Sequence, residues 1–164
     1  MNETGEKILR LTCNSGRIWV EFRSSASYKE GCVAVEIASQ CHAYVRTGPG
    51  DNEFELRERY NLLVSELSFT VYDLVGLQAF LKDAWNNVKA DLQYSIASLD
   101  RATLWFHLKD RDGTSMGPLK NTLQIALTSS RINFDWVLNV EQTVLQLAID
   151  DLAAWIARRS KASA

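Results

Sequence analysis

A chain of 164 residues with five Trp and 46% hydrophobic residues is long enough to close a sizeable core and too apolar for a disordered segment. Its 18 Lys and Arg against 20 Asp and Glu leave a net charge of −2, with the cations scattered, which disfavours nucleic-acid binding through a basic patch. The first residues, MNETGEKILRL, show no basic stretch running into an apolar one. A secretory leader is therefore not expected, and no apolar run reaches the length of a membrane span.

Taken in chain order, KILRLTC reads as a first strand. RIWVEFR alternates, with Ile18, Val20 and Phe22 on one face and Arg17, Trp19, Glu21 and Arg23 on the other. CVAVEIASQCHAYVR reads as one long strand or two, with Tyr44 on the side of His42 and Arg46. TGPGDNEFELRERYN has glycines, a proline and alternating charges, the signature of a solvated connection. SELSFTV sets Leu67, Phe69 and Val71 against Glu66, Ser68 and Thr70.

Helical spacing follows in DLVGLQAFLKDAWNNVKADL, where Leu74, Leu77, Leu81, Trp85, Val88 and Leu92 recur every three or four residues. Asp73 is the expected N-cap. ATLWFHLK alternates again, setting Leu104, Phe106 and Leu108 against Thr103, Trp105, His107 and Lys109. LKNTLQIAL and RINFDWVL complete the strands, the latter with Ile132, Phe134, Trp136 and Leu138 on one side. A last helix carries Leu145, Ala148, Ile149, Leu152, Trp155 and Ile156, and ends in Arg158, Arg159 and Lys161, cations that suit its dipole.

Clean alternation indicates antiparallel strands with one buried face. The order is several strands, a helix, three more strands and a helix. It predicts an α+β fold: an antiparallel sheet or partial barrel of about seven to eight strands with one central and one C-terminal amphipathic helix. Residues 1–164 are expected to form a single domain. Leu67 and Phe69 before one helix resemble Leu138 and Val140 before the other, a faint internal duplication.

Residues 107–118, HLKDRDGTSMGP, suggest chemistry at first sight. A calcium loop needs glycine at its sixth position and glutamate at its twelfth, whereas counting from Asp110 places Gly113 fourth and Asn121 twelfth. Asp112-Gly113 between alternating runs is a hairpin turn. The Gly113-Thr114-Ser115-Met116-Gly117 run precedes Pro118 and a strand, not a helix, and no histidine follows it, so Ser115 is no nucleophile elbow. His107 reads as a surface histidine in a hairpin. Cys13, Cys32 and Cys41, with only His42 and His107 as histidines, match no standard zinc spacing and fit reduced thiols.

The candidate site is therefore a surface. Trp19 and Trp105 stand on otherwise polar strand faces, and Trp, Tyr and Arg dominate protein interfaces because they bury much area and keep a polar handle. Trp19 and Trp105 are the expected anchors of a partner-binding surface, with Arg17, Glu21, Arg23 and His107 around them. The alternative is that these tryptophans are packed structure.

ELSFTVYDLVGLQAFLKDAW, then strands, then WVLNVEQTVLQLAIDDLAAWI, resembles the WapI-like immunity proteins of bacteria, with Glu66-Leu67-Ser68-Phe69 and Glu141-Gln142 at the strand-to-helix steps. The resemblance implies a cytoplasmic protein that binds and neutralises a cognate toxin domain, with no catalytic residues, and the expected mechanism is steric occlusion. The near-neutral charge departs from the acidic character common in inhibitors of basic nucleases. The expectation is a non-enzymatic protein-binding domain with no cofactor, no metal site, and neither nucleic acid nor membrane as partner. The alternatives are a small-ligand-binding domain and a self-assembling module, and homo-oligomers are compatible with either.

Overall fold

In the computed structural model the described residues are 5–13, 18–24, 32–46, 54–86, 91–97, 102–110, 121–130 and 133–162. The alternating segments form strands β1 (Glu6–Thr12), β2 (Trp19–Ser24), β3 (Cys32–Arg46) and β4 (Phe54–Thr70), followed by helix α1 (Val71–Asn86). The pattern then recurs as β5 (Leu92–Ala97), β6 (Thr103–Asp110), β7 (Asn121–Thr128), β8 (Asn133–Val140) and α2 (Gln142–Ala162). The α+β reading holds, but the strands divide into two antiparallel four-stranded sheets, β1-β2-β3-β4 and β5-β6-β7-β8, with no closed barrel among the described residues.

Three local expectations are corrected. Phe54–Tyr60, read as part of a solvated connection, continue β4 and pair with β3 from Arg46↔Phe54 to Cys41↔Tyr60. Leu92, read as helical, opens β5, so the second half has four strands rather than three. Asp73 is not the N-cap. Thr70 Oγ1 accepts the Asp73 N–H at 3.2 Å while the Asp73 carboxylate accepts the Thr70 N–H at 2.8 Å. This reciprocal capping box starts α1 at Val71, earlier than the apolar spacing alone suggests.

Each sheet turns its apolar face to a common core. Val20, Phe22, Val35, Ile37, Leu67 and Phe69 of the first join Leu104, Phe106, Leu123, Ile125, Trp136 and Leu138 of the second in one continuous cluster. Phe22 meets Phe106 edge to face at 6.1 Å between ring centroids. The buried Trp136 indole N–H donates to Ser39 Oγ at 2.9 Å, a bond that bridges the sheets across 97 positions of sequence. A register shift between Lys7 and Leu9 turns both Ile8 and Leu9 into the interior.

The helices cross between halves. α2, which follows the second sheet, packs on β1 of the first. Lys7–Asp151 at 3.2 Å and Arg158–Glu6 at 2.8 Å flank that contact. α1, which follows the first sheet, packs on β5 of the second and against α2. Here Phe80 stacks on Tyr94 at 6.0 Å, and the Tyr94 hydroxyl donates to the Asp73 carbonyl at 2.8 Å. The faint duplication corresponds to a repeated layout. Leu67 and Phe69 precede α1 as Leu138 and Val140 precede α2, and Leu74, Leu77 and Leu81 are buried on α1 as Leu145, Ala148 and Leu152 are on α2. Trp85, expected in the apolar stripe, lies at its margin and is 38% exposed.

Gly76 makes the α1–β5 contact close. A Cβ there would stand 2.2 Å from the Tyr94 hydroxyl oxygen. Gly76→Ala should therefore destabilise the fold by about 1–3 kcal/mol in urea titration, although alanine is the better helix former by about 1 kcal/mol.

The same contact gives a pH dependence. Burial, and then the nearby Asp73 carboxylate, raise the Tyr94 pKa above the ordinary tyrosine value. The unfolded chain therefore loses this proton first, so the contribution is complete below about pH 10 and is lost as pH rises through the folded pKa. Urea titrations across that range should show a steeper alkaline loss of stability in the wild type than in Tyr94→Phe.

Candidate functional site

With the inner faces committed to the core, the polar sides of the strands become the outer surface. On the first sheet, β2 presents Trp19, Glu21 and Arg23 there, the side opposite Val20 and Phe22. Trp19 is half-buried and held at its edge and over its face: its indole N–H donates to Gln40 Oε1 on β3 at 3.0 Å, and the Arg10 guanidinium of β1 lies over the ring, 4.2 Å from its centroid. Arg10 and Glu21 are directly opposite in the β1–β2 register. Glu21 is only 8% exposed and takes Arg23 Nε at 2.5 Å and Arg10 Nε at 3.6 Å. Two guanidinium groups thus flank one nearly buried carboxylate, and Glu36 of β3 stands directly opposite Arg23.

Beside this lattice lies an open depression of about 340 Å³ bordered by Trp19, Arg23, Ala38, Asn61 and Leu63. It exists because the small Ala38 sits directly opposite both Glu21 and Leu63, so the sheet has a dip where larger neighbours rise around it. Leu63 is 60% exposed. An apolar floor with a guanidinium and a carboxamide at its rim suits an apolar side chain carried by a polar backbone.

Trp105 and His107 occupy the outer face of the other sheet, on β6. Their rings are tilted against each other with centroids 4.8 Å apart. His107 Nε2 contacts the carboxylate of Asp91, which immediately precedes β5. The surface-histidine reading is corrected: His107 is 6% exposed, and its Nδ1 is buried without a partner among the described residues. Its strand neighbours are Gln93 on β5 and Gln124 on β7. An imidazole oriented by a carboxylate is one element of general-base chemistry. No described nucleophile or oxyanion donor is seen to converge with it.

The predicted site residues therefore fall into two groups. Trp19, Glu21 and Arg23 lie together, and Trp105 and His107 lie together, each group on the face of its own sheet away from the shared core. Arg17 lies outside the described residues, as do the Asp112-Gly113 turn and Ser115. The side chains of Cys41, His42 and Tyr44 also lie outside them. Both groups sit in matching stretches, Trp19-Val20-Glu21-Phe22-Arg23 and Trp105-Phe106-His107-Leu108-Lys109, on the second strand of each half.

Sequence reasoning missed Arg10, Gln40, Ala38, Leu63 and Asp91. Alternation in KILRLTC could have placed Arg10 opposite the core. The others needed strand register, and Asp91 was hidden by an overextended helix.

No family model, curated protein or solved structure matches the chain. Among the described residues no group of three or more His, Cys, Asp or Glu could hold a metal ion, and no helix is long and apolar enough to cross a membrane.

Glu21→Gln should leave Arg10 and Arg23 facing each other without the intervening charge. The expected loss is on the order of 2 kcal/mol in denaturant melts. It should shrink in high salt, which screens the remaining repulsion.

Proposed function

We propose that the protein is a non-enzymatic protein-binding module that uses the outer face of the first sheet as its contact surface. The role that fits this reading and the family resemblance is an immunity-type inhibitor that occludes a toxin domain. The observation that carries it is Trp19: half-buried, held by Gln40 and Arg10, and placed at the rim of an open apolar depression. An anchor already fixed in one rotamer loses little entropy on binding, which is what makes tryptophan effective at the centre of interfaces. Arg10 and Arg23 supply charge-assisted donors for acidic groups of a partner.

The open, mainly apolar depression supports this reading over a small-ligand domain, whose pocket encloses its ligand and aims several polar groups at it. The proposed cytoplasmic location follows from the immunity-type role.

The test is capture from the native lysate with the tagged full chain, read by mass spectrometry. The expected result is one stoichiometric protein that is lost with Trp19→Ala and with Ala38→Leu, the latter filling the depression, while both variants keep the wild-type circular dichroism. Capture that survives both substitutions in folded protein contradicts the assignment of this face.

A further inference from the structure

We propose that a second copy of this chain pairs with the outer edge of β4, antiparallel and centred on Leu63, to join the first sheets of two molecules into one. β4 runs for 17 residues at the margin of its sheet. Among the described residues no strand pairs with its outer edge. Alternate residues of such a strand aim their N–H and C=O groups away from β3, leaving a ready template for another strand. Natural edges are usually guarded by charges, prolines or bulges. Asn61-Leu62-Leu63-Val64-Ser65 has no charge, proline or glycine, with Arg59 and Glu66 as the nearest charges, and the irregularity between Val35 and Ile37 sets Ser65 and Glu66 together opposite Glu36 at its far end.

The occupant follows from the order of these five residues. A twofold axis normal to the sheet and passing through Leu63 sets Leu63 against its own copy, Asn61 against Ser65, and Leu62 against Val64. Every pair matches in character. Leu63, on the outer face, is 60% exposed in the single chain and gains an apolar neighbour. Asn61 and Ser65 are both exposed and polar. Leu62 and Val64 are half-buried on the core side and already touch the core cluster, so their pairing extends it across the junction.

Centring on Leu62 or Val64 instead opposes Leu63 to Asn61 or to Ser65 and loses the match. Of these three registers the one centred on Leu63 is self-complementary, as an isologous dimer requires. The same axis keeps the outer faces on one side of the joined sheet, so the two Trp19 surfaces stand side by side. The pairing does not depend on the partner-binding role.

The full chain is tested by sedimentation equilibrium over a range of concentrations. The expected species is a dimer, twice the 18.5 kDa chain mass. Leu63→Lys, at an exposed position, should return an 18.5 kDa monomer with unchanged circular dichroism. Leu63→Cys should form a disulfide with its own copy under mild oxidation, located by peptide mass spectrometry. Val137→Cys, 59% exposed on the other sheet, should not. A wild-type chain that stays monomeric into the millimolar range overturns the proposal. So does a dimer that Leu63→Lys leaves intact, or a Leu63→Cys variant whose new thiol stays unlinked.

Discussion

Neither sheet can bury its apolar face without the other. Phe22 and Phe106 meet between the two sheets, and the Trp136 indole N–H has its partner, Ser39, in the opposite half of the chain. Each buried aromatic contributes about 1.5–3 kcal/mol through apolar area removed from water. An unpaired indole N–H in that interior would cost about 1–3 kcal/mol. The crossed helices add to the dependence, because α2 covers β1 and α1 covers β5. A half composed of four strands and its own helix would expose the strand that the other helix covers.

This constraint leaves only part of the molecule open to a partner. The inner faces are committed to the core, so the outer faces and edges are the surfaces available to the proposed contact. The two outer faces carry matching Trp-led stretches but differ in finish. On the first sheet Glu21 is balanced between Arg10 and Arg23, and the small Ala38 leaves an open dip beside Trp19. On the second, the nearly buried His107 contacts the Asp91 carboxylate and lies against the Trp105 ring. A repeated fold thus presents two unequal surfaces, and the first has the room and the exposed apolar residue that a docking side chain requires.

Much of the fold was legible because period two is a strong signal wherever one strand face is buried. β2, β6, β8 and the end of β4 were readable from alternating Val, Phe, Leu and Trp alone. The start of β4 was not, since the charges of Glu55, Arg57, Glu58 and Arg59 and the preceding glycines imitate a solvated connection. β5 was hidden because Leu92 continues the helical spacing of α1 by chance. For the site, alternation correctly put Trp19, Glu21 and Arg23 on one face. It could not show that Glu21 would be nearly buried or that Arg10 would stack on Trp19, because both depend on the β1–β2 register. The carboxylate that His107 contacts belongs to Asp91, 16 positions earlier in sequence, and only the β5–β6 pairing brings the two together.

Whether the two sheets open as one cooperative core is read out by native-state hydrogen exchange at rising denaturant. The slowest amides of β2 and β3 and those of β6 and β7 should exchange with one free energy and one denaturant slope, through a common opening. A second sheet that opens at distinctly lower free energy while the first stays protected, or the reverse, would show that the halves stand independently and would contradict a single cooperative core.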